Sequence, residues 1–246
     1  MRWRGTTTPA VEPEALQAEV LPFTDVGVRT VKIEIGGGPL DVDMARVEAV
    51  LHDGASLAAD ANGRSDGPEV VRHVKALSAL RLDGYAKPTD TFDFEGLKIV
   101  SGSYHRVLAT GEDFLARGEA NNLILDGGLR SAQDALQMDS AVSYGFTENQ
   151  EILADPTRHG WALERCVPHG GHQFNLVTAA GRGLGGSESY PRLFEPFGCF
   201  ADAYKVGSVY VDLLSVPGIG LGVLPPVAPV LAQLQYLSQL WFCDEG

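Results

Sequence analysis

Basic residues are scarce in this chain, with 19 Lys+Arg against 32 Asp+Glu and a formal net charge of -13. A surface that acidic repels phosphate backbones and anionic lipid, so neither nucleic acid nor a membrane surface is expected as a partner. It suits a site built to hold a cation. Cysteine is rarer still. Cys166, Cys199 and Cys243 are odd in number, widely spaced and free of any C-x-x-C pairing. That excludes a disulfide framework and a zinc knuckle and points to a reducing, cytoplasmic compartment. Long apolar runs are also missing, because the most apolar segment, 216–242, is cut by Pro217, Pro225, Pro226 and Pro229. No span reaches the roughly 20 apolar residues that a membrane helix needs. The opening MRWRGTTTPAVEPE lacks the apolar core of a secretory signal. No solenoid repeat or low-complexity linker is present.

What remains suits one large α/β domain. The chain has 246 residues, 44% of them hydrophobic, and α/β barrels run to about 250 residues as a single unit. Strand and helix patterns alternate eight times, the mark of βαβ units. Residues 2–8 read as a strand, and Pro13 opens a helix. Val31, Ile33 and Ile35 alternate with Lys32 and Glu34, so those two charges point into the mouth of a barrel whose outer face is covered by helices. An edge strand with one wet face is the plainer alternative. Helices are expected over 41–51 and 69–80, the latter with Val70, Val71, Val74, Leu77 and Leu80 on one side. Strands are expected at 57–59, 107–110 and 136–138, and a helical turn near Ile99. A further helix over 230–242 is expected either to dock on the barrel or to seek a partner.

The densest chemistry lies at 166–191, CVPHGGHQFNLVTAAGRGLGGSESYP. Residues 166–168 read as a buried strand that presents His169 at its C-terminal tip. Residues 173–181 read as a short helix, and Glu188 lies on a second tip. In a parallel barrel such tips share one face, where the chemistry sits. Asp60, Ala86 and Glu112 are each 26 residues from the next, the length of one βα repeat. Asp60 and Glu112 form half of a hard-cation site, since Mg²⁺ takes few protein carboxylates beside water and substrate oxygens. The plain alternative makes Asp60 a helix N-cap and Glu112 a solvated acid. The pair His169 and His172 is separated by glycines rather than a helical turn, which argues against zinc, and His172 is expected to be structural. Neither Ser187 nor Ser189 sits in a nucleophile elbow. His52, His73, His105 and His159 are expected at solvated surface positions.

The ordered motifs VKIEIGG at 31–37, ADANGR at 59–64, ATGE at 109–112, QMDSAVSYG at 137–145 and VPHGGHQ at 167–173 resemble the enolase superfamily. The mandelate racemase-like branch is the nearest, and HGGHQ and GGSESYP look most like its D-tartrate dehydratase group. The resemblance spans roughly residues 10–220. It implies a (β/α)₇β TIM-type barrel over 1–220 with a divergent tail at 221–246, a Mg²⁺ cofactor, and a small hydroxy acid as partner, with a homo-oligomer left open. It further implies Asp60 and Glu112 as metal ligands and His169 as acid/base with Asp139 as its orienting partner. Glu188 would bond the substrate carboxylate, and Lys32 would be the first lysine of a K-x-K pair. The implied reaction is dehydration of an acid sugar, tartrate for example, through an enolate.

Three departures bear on that reading. Glu34 stands where such dehydratases carry the second lysine, the usual base on the opposite face. Ala86-Lys87-Pro88 replaces a Glu-Glu-Pro tip, so the middle metal ligand is absent and a cation stands beside its place. The family's N-terminal capping domain is expected to be missing, because the chain begins close to the first strand. These departures define the alternative: a barrel that has lost catalysis and serves as a binding or assembly module.

Overall fold

The computed structural model describes residues 5–6, 12–25, 30–52, 56–65, 67–190, 206–207, 210–211, 213, 218–220, 225 and 227–241. Six parallel strands, β1 (Gly5–Thr6), β2 (Thr30–Glu34), β3 (Ser56–Asp60), β4 (Gly84–Ala86), β5 (Leu108–Thr110) and β6 (Ala135–Leu136), lie side by side in sequence order. Helices α1 (Pro13–Asp25), α2 (Leu40–His52), α3 (Gly67–Ser78), α4 (Phe94–Ser103) and α5 (Arg117–Asp126) make the crossovers. Two extended segments continue the sheet. Leu136 bridges Cys166 in parallel, Val167 N–H donates to Leu136 at 2.8 Å, and Gly185 N–H donates to the Cys166 carbonyl at 3.0 Å. With α6 (Phe146–Arg158) and α7 (Gln173–Arg182) between them, these segments supply a seventh and an eighth stave, as the α/β barrel reading expects.

Strand periodicity sorts the side chains. Val31, Ile33 and Ile35 are fully or almost fully buried in a large cluster with Val47, Val50, Leu57, Val74 and Leu77, between sheet and helices. The alternate positions are inward: the register pairs Lys32 with Ala58, Glu34 with Asp60, and Asp60 with Ala86. Small residues line this interior, Ala58 against Val167 and Ala86 against Ala109 and Ala135, leaving room for long charged side chains above them.

Several local expectations change. The turn near Ile99 is the middle of a full helix whose start is set by Asp93, its carboxylate accepting from Gly96 N–H at 2.9 Å. Only Val70, Val74 and Leu77 of the α3 stripe are buried, while Val71 is 46% exposed. A five-residue apolar set is wider than the face a helix turns to a sheet. His73, expected in solvent, is buried, its Nδ1 3.1 Å from the Glu69 carbonyl and 3.3 Å from Ser65 Oγ. Asp60 does not cap a helix; its Oδ1 accepts from Asn62 N–H two residues on. The strand expected over 2–8 is described only at Gly5–Thr6, and Cys199 and Cys243 lie outside the described residues. Near the end, β7 (Val206–Gly207) and β8 (Tyr210–Val211) pair antiparallel and α8 spans Ala228–Trp241, with Val230 and Leu234 exposed. Among the described residues no helix is long and apolar enough to cross a membrane.

Candidate active site

The strand tips bring charged side chains to one mouth. Lys32 Nζ lies 2.8 Å from Asp60 Oδ2 and 2.7 Å from Glu188 Oε1, with all three side chains at most 2% exposed. The second and eighth staves are thereby joined by one buried ammonium. Burial alone would depress the Lys32 pKa, but Asp60 and Glu188 outweigh it and hold the group well above its ordinary value. Burial likewise pushes Asp60 up, and Lys32 more than reverses it, so the carboxyl is held below its ordinary value.

Both Glu188 oxygens are engaged. Oε1 accepts from Lys32 and from Gln137 Nε2 at 3.0 Å, and Oε2 accepts from Tyr190 Oη at 2.5 Å and Gly170 N–H at 3.2 Å. Gln137 and Tyr190 were not singled out from the sequence. Each lies two residues from a residue that was, Asp139 and Glu188, and strand alternation puts such neighbours on the same face.

The His169 side chain is 31% exposed. Its Nδ1 is 3.6 Å from Asp139 Oδ2, and its Nε2 is 3.6 Å from Glu112 Oε2 and 3.9 Å from Glu188 Oε2. These are ion-pair distances, longer than direct hydrogen bonds. Burial pulls the imidazole down, but Asp139, Glu188 and Glu112 together raise its pKa to about 9, so it is cationic at neutral pH. Asp139 is pushed up by burial and pulled further down by both histidines, and ends well below the ordinary carboxylate range. His172 is the nearer imidazole to it, Nε2 to Oδ1 3.1 Å, while its Nδ1 accepts from Asn175 N–H at 3.3 Å to cap α7. The two intervening glycines are required by space. A Cβ on Gly170 would sit 2.6 Å from Asp139 Oδ2, and one on Gly171 would strike the Tyr190 ring, both from left-handed backbone.

Glu34 faces the same groups from β2. Burial, then Asp60, raise its pKa to about 7, with Lys32 opposing, and Asn62 Nδ2 donates to its Oε2. On the far side, Lys87 Nζ lies 2.9 Å from Glu112 Oε1 and 2.8 Å from Asp113 Oδ2. Burial dominates Glu112 and raises its pKa, and its Oε2 has no hydrogen-bond partner. Such an orphaned buried carboxylate oxygen suits a cation, although among the described residues no group of three His, Cys, Asp or Glu is placed to hold one.

The sequence matches the family described as enolase C-terminal domain-like over residues 15–225. The chain belongs to that family. A curated relative, the L-talarate/galactarate dehydratase of Salmonella typhimurium strain LT2, is 26% identical over 157 residues, which are 63% of this chain and 38% of the relative. Two solved structures from Polaromonas sp. JS666 share its fold at 23% identity and cover 89% of this chain. A mandelate racemase/muconate lactonizing enzyme superposes with a TM-score of 0.75 over 59% of its own length. An L-talarate dehydratase complexed with Mg and L-glucarate superposes with a TM-score of 0.74 over 60%. This family member thus spans only part of the length of the proteins it matches.

Proposed function

We propose that the barrel mouth takes a hydroxy carboxylate of the acid-sugar class, tartrate among the candidates, and dehydrates it to a 2-keto acid. The observation that carries this reading is the setting of His169, with Asp139 on its Nδ1 side, Glu112 and Glu188 on its Nε2 side, and the Lys32 ion pairs beside them. A proton next to a carboxylate is too weakly acidic for a protein base unless the developing charge is stabilised. Glu34, raised to about 7, is the base that removes it. His169, raised to about 9, is the acid that protonates the departing hydroxyl as the Cβ–O bond breaks. The enol so formed tautomerises to the keto acid. Lys32 offsets part of the negative charge that a substrate carboxylate brings to the mouth. Glu188 acts by holding Lys32, Tyr190 and the Gly170 amide in place. Asp60 and Glu112 are the residues that would face Mg²⁺, with which a Polaromonas dehydratase is complexed, and a bound ion would supply Lewis-acid stabilisation of the developing negative charge.

The pH dependence follows with a definite sign. Glu34 must be ionised, so activity rises through about pH 7; His169 must be protonated, so activity falls through about pH 9. The rate profile is a bell between those limits, and Glu34→Gln removes the acid limb along with most of the rate.

Incubating the full chain with a panel of acid sugars and tartrates, with and without Mg²⁺, and trapping 2-keto acid tests the proposal. Keto acid from at least one substrate is expected; none from any of them contradicts it. A second reading, a barrel that binds hydroxy acids without turnover, is favoured by Ala86 and Glu34 at positions where the resemblance expects Glu and Lys. A substrate-dependent rise in melting temperature without keto acid selects it.

A further inference from the structure

Position 86 lies in one barrel layer with Glu34 and Asp60, and a third carboxylate there would complete an oxygen set. A methyl group stands in its place, packed against Ala109 and Ala135. The next residue, Lys87, has φ +42°, a left-handed conformation that side-chain-bearing residues rarely adopt. The backbone is pinned there: Lys87 N–H donates to the Ala109 carbonyl at 2.9 Å and its own carbonyl accepts from Gly63 N–H at 2.9 Å. This turn carries the ammonium inward to Glu112 and Asp113, with the side chain only 11% exposed. Lys32 does the same for Asp60. Both carboxylates proposed to face a divalent ion therefore already hold an ammonium, and a dication at Glu112 would meet like charge in a poorly screened setting.

We propose that Lys87 is a tethered cation that competes with Mg²⁺ for Glu112, so that this mouth carries most of its positive charge in its own chain and binds divalent metal weakly. The proposal rests on the assignment of Asp60 and Glu112 as the cation-facing pair. It predicts that charge at residue 87, rather than the number of carboxylates alone, sets the metal affinity. The left-handed backbone is part of the device, since it stands at the turn from which the side chain meets Glu112 and Asp113.

Calorimetric titration of the full-length protein with MgCl₂ at constant ionic strength tests it. The wild type and Lys87→Arg should bind with a Kd in the millimolar range or weaker, and Lys87→Gln should bind at least about tenfold more tightly. Equal affinity in wild type and Lys87→Gln, including no binding by either, overturns the proposal. If Lys87→Gln does not fold, the wild-type titration decides alone: a micromolar Kd overturns it, and millimolar or weaker binding supports it. The readout is metal affinity and not keto acid, so this proposal and the dehydratase reading can fail separately.

Discussion

Lys32→Met should destabilise the protein by roughly 3–5 kcal/mol at pH 7, a drop in melting temperature of roughly 6–20 °C for a chain of this length. Methionine fills the space of the lysine stem, so the loss is electrostatic. The ammonium is shared by Asp60 at 2.8 Å and Glu188 at 2.7 Å, all three nearly sealed from water. After substitution Asp60 keeps the Asn62 amide and Glu188 keeps Gln137, Tyr190 and Gly170, but two carboxylates remain beside one another with no cation between them. Against a typical domain stability of about 5–15 kcal/mol, that is a large fraction. The effect has a pH signature. The lowered pKa of Asp60 means that its pairing stabilises the native state above the ordinary carboxylate pKa and fades as pH falls. The variant lacks that contribution, so its deficit should be larger at pH 7 than at pH 3, below the ordinary value of 3.8. Urea unfolding at both values measures it, and a deficit under about 1 kcal/mol at pH 7 would mean that the buried triad does not form.

His169→Gln should lower kcat on any acid sugar that is turned over by about 10²–10⁴-fold while leaving the fold intact. The side chain is partly exposed, and Asp139 retains His172 and the amides of Ala141 and Val142. A merely structural role for His169 would move stability and leave the pH profile unchanged. A role as proton donor removes the basic limb near pH 9, which the setting of His169 among Asp139, Glu188 and Glu112 fixes. A variant that kept both its rate and its basic limb would exclude His169 from the reaction.

Much of this site was legible because a barrel converts order along the chain into adjacency around a rim. The alternation at 31–35 placed Lys32 and Glu34 inward, and reading Asp60, Glu112, Asp139, His169 and Glu188 as strand tips was enough to bring them to one mouth. What was not legible depends on closure of the ring. No local pattern says that Lys32 reaches two staves at once, or that Glu188 collects four donors. The left-handed backbone at Lys87, which carries the ammonium that meets Glu112 and Asp113, is invisible to periodicity. His73 was misplaced for a related reason: its burial follows from its own helix's carbonyl at Glu69 and from Ser65 in the preceding loop, contacts that a scan for isolated histidines does not weigh. At α3 the apolar count was right and the face too wide, since only the 70-74-77 stripe meets the sheet.

The central claim is that this mouth removes a proton next to a carboxylate. Proton NMR of acid sugars incubated with the full chain in D₂O near pH 8 tests it most directly. The account predicts loss of the signal from the proton next to the carboxylate with the wild type, no loss with Glu34→Gln, and loss by exchange with solvent but little keto acid with His169→Gln. A signal from every acid sugar that persists unchanged with the wild type, or that is lost as fast with Glu34→Gln as with the wild type, would contradict it.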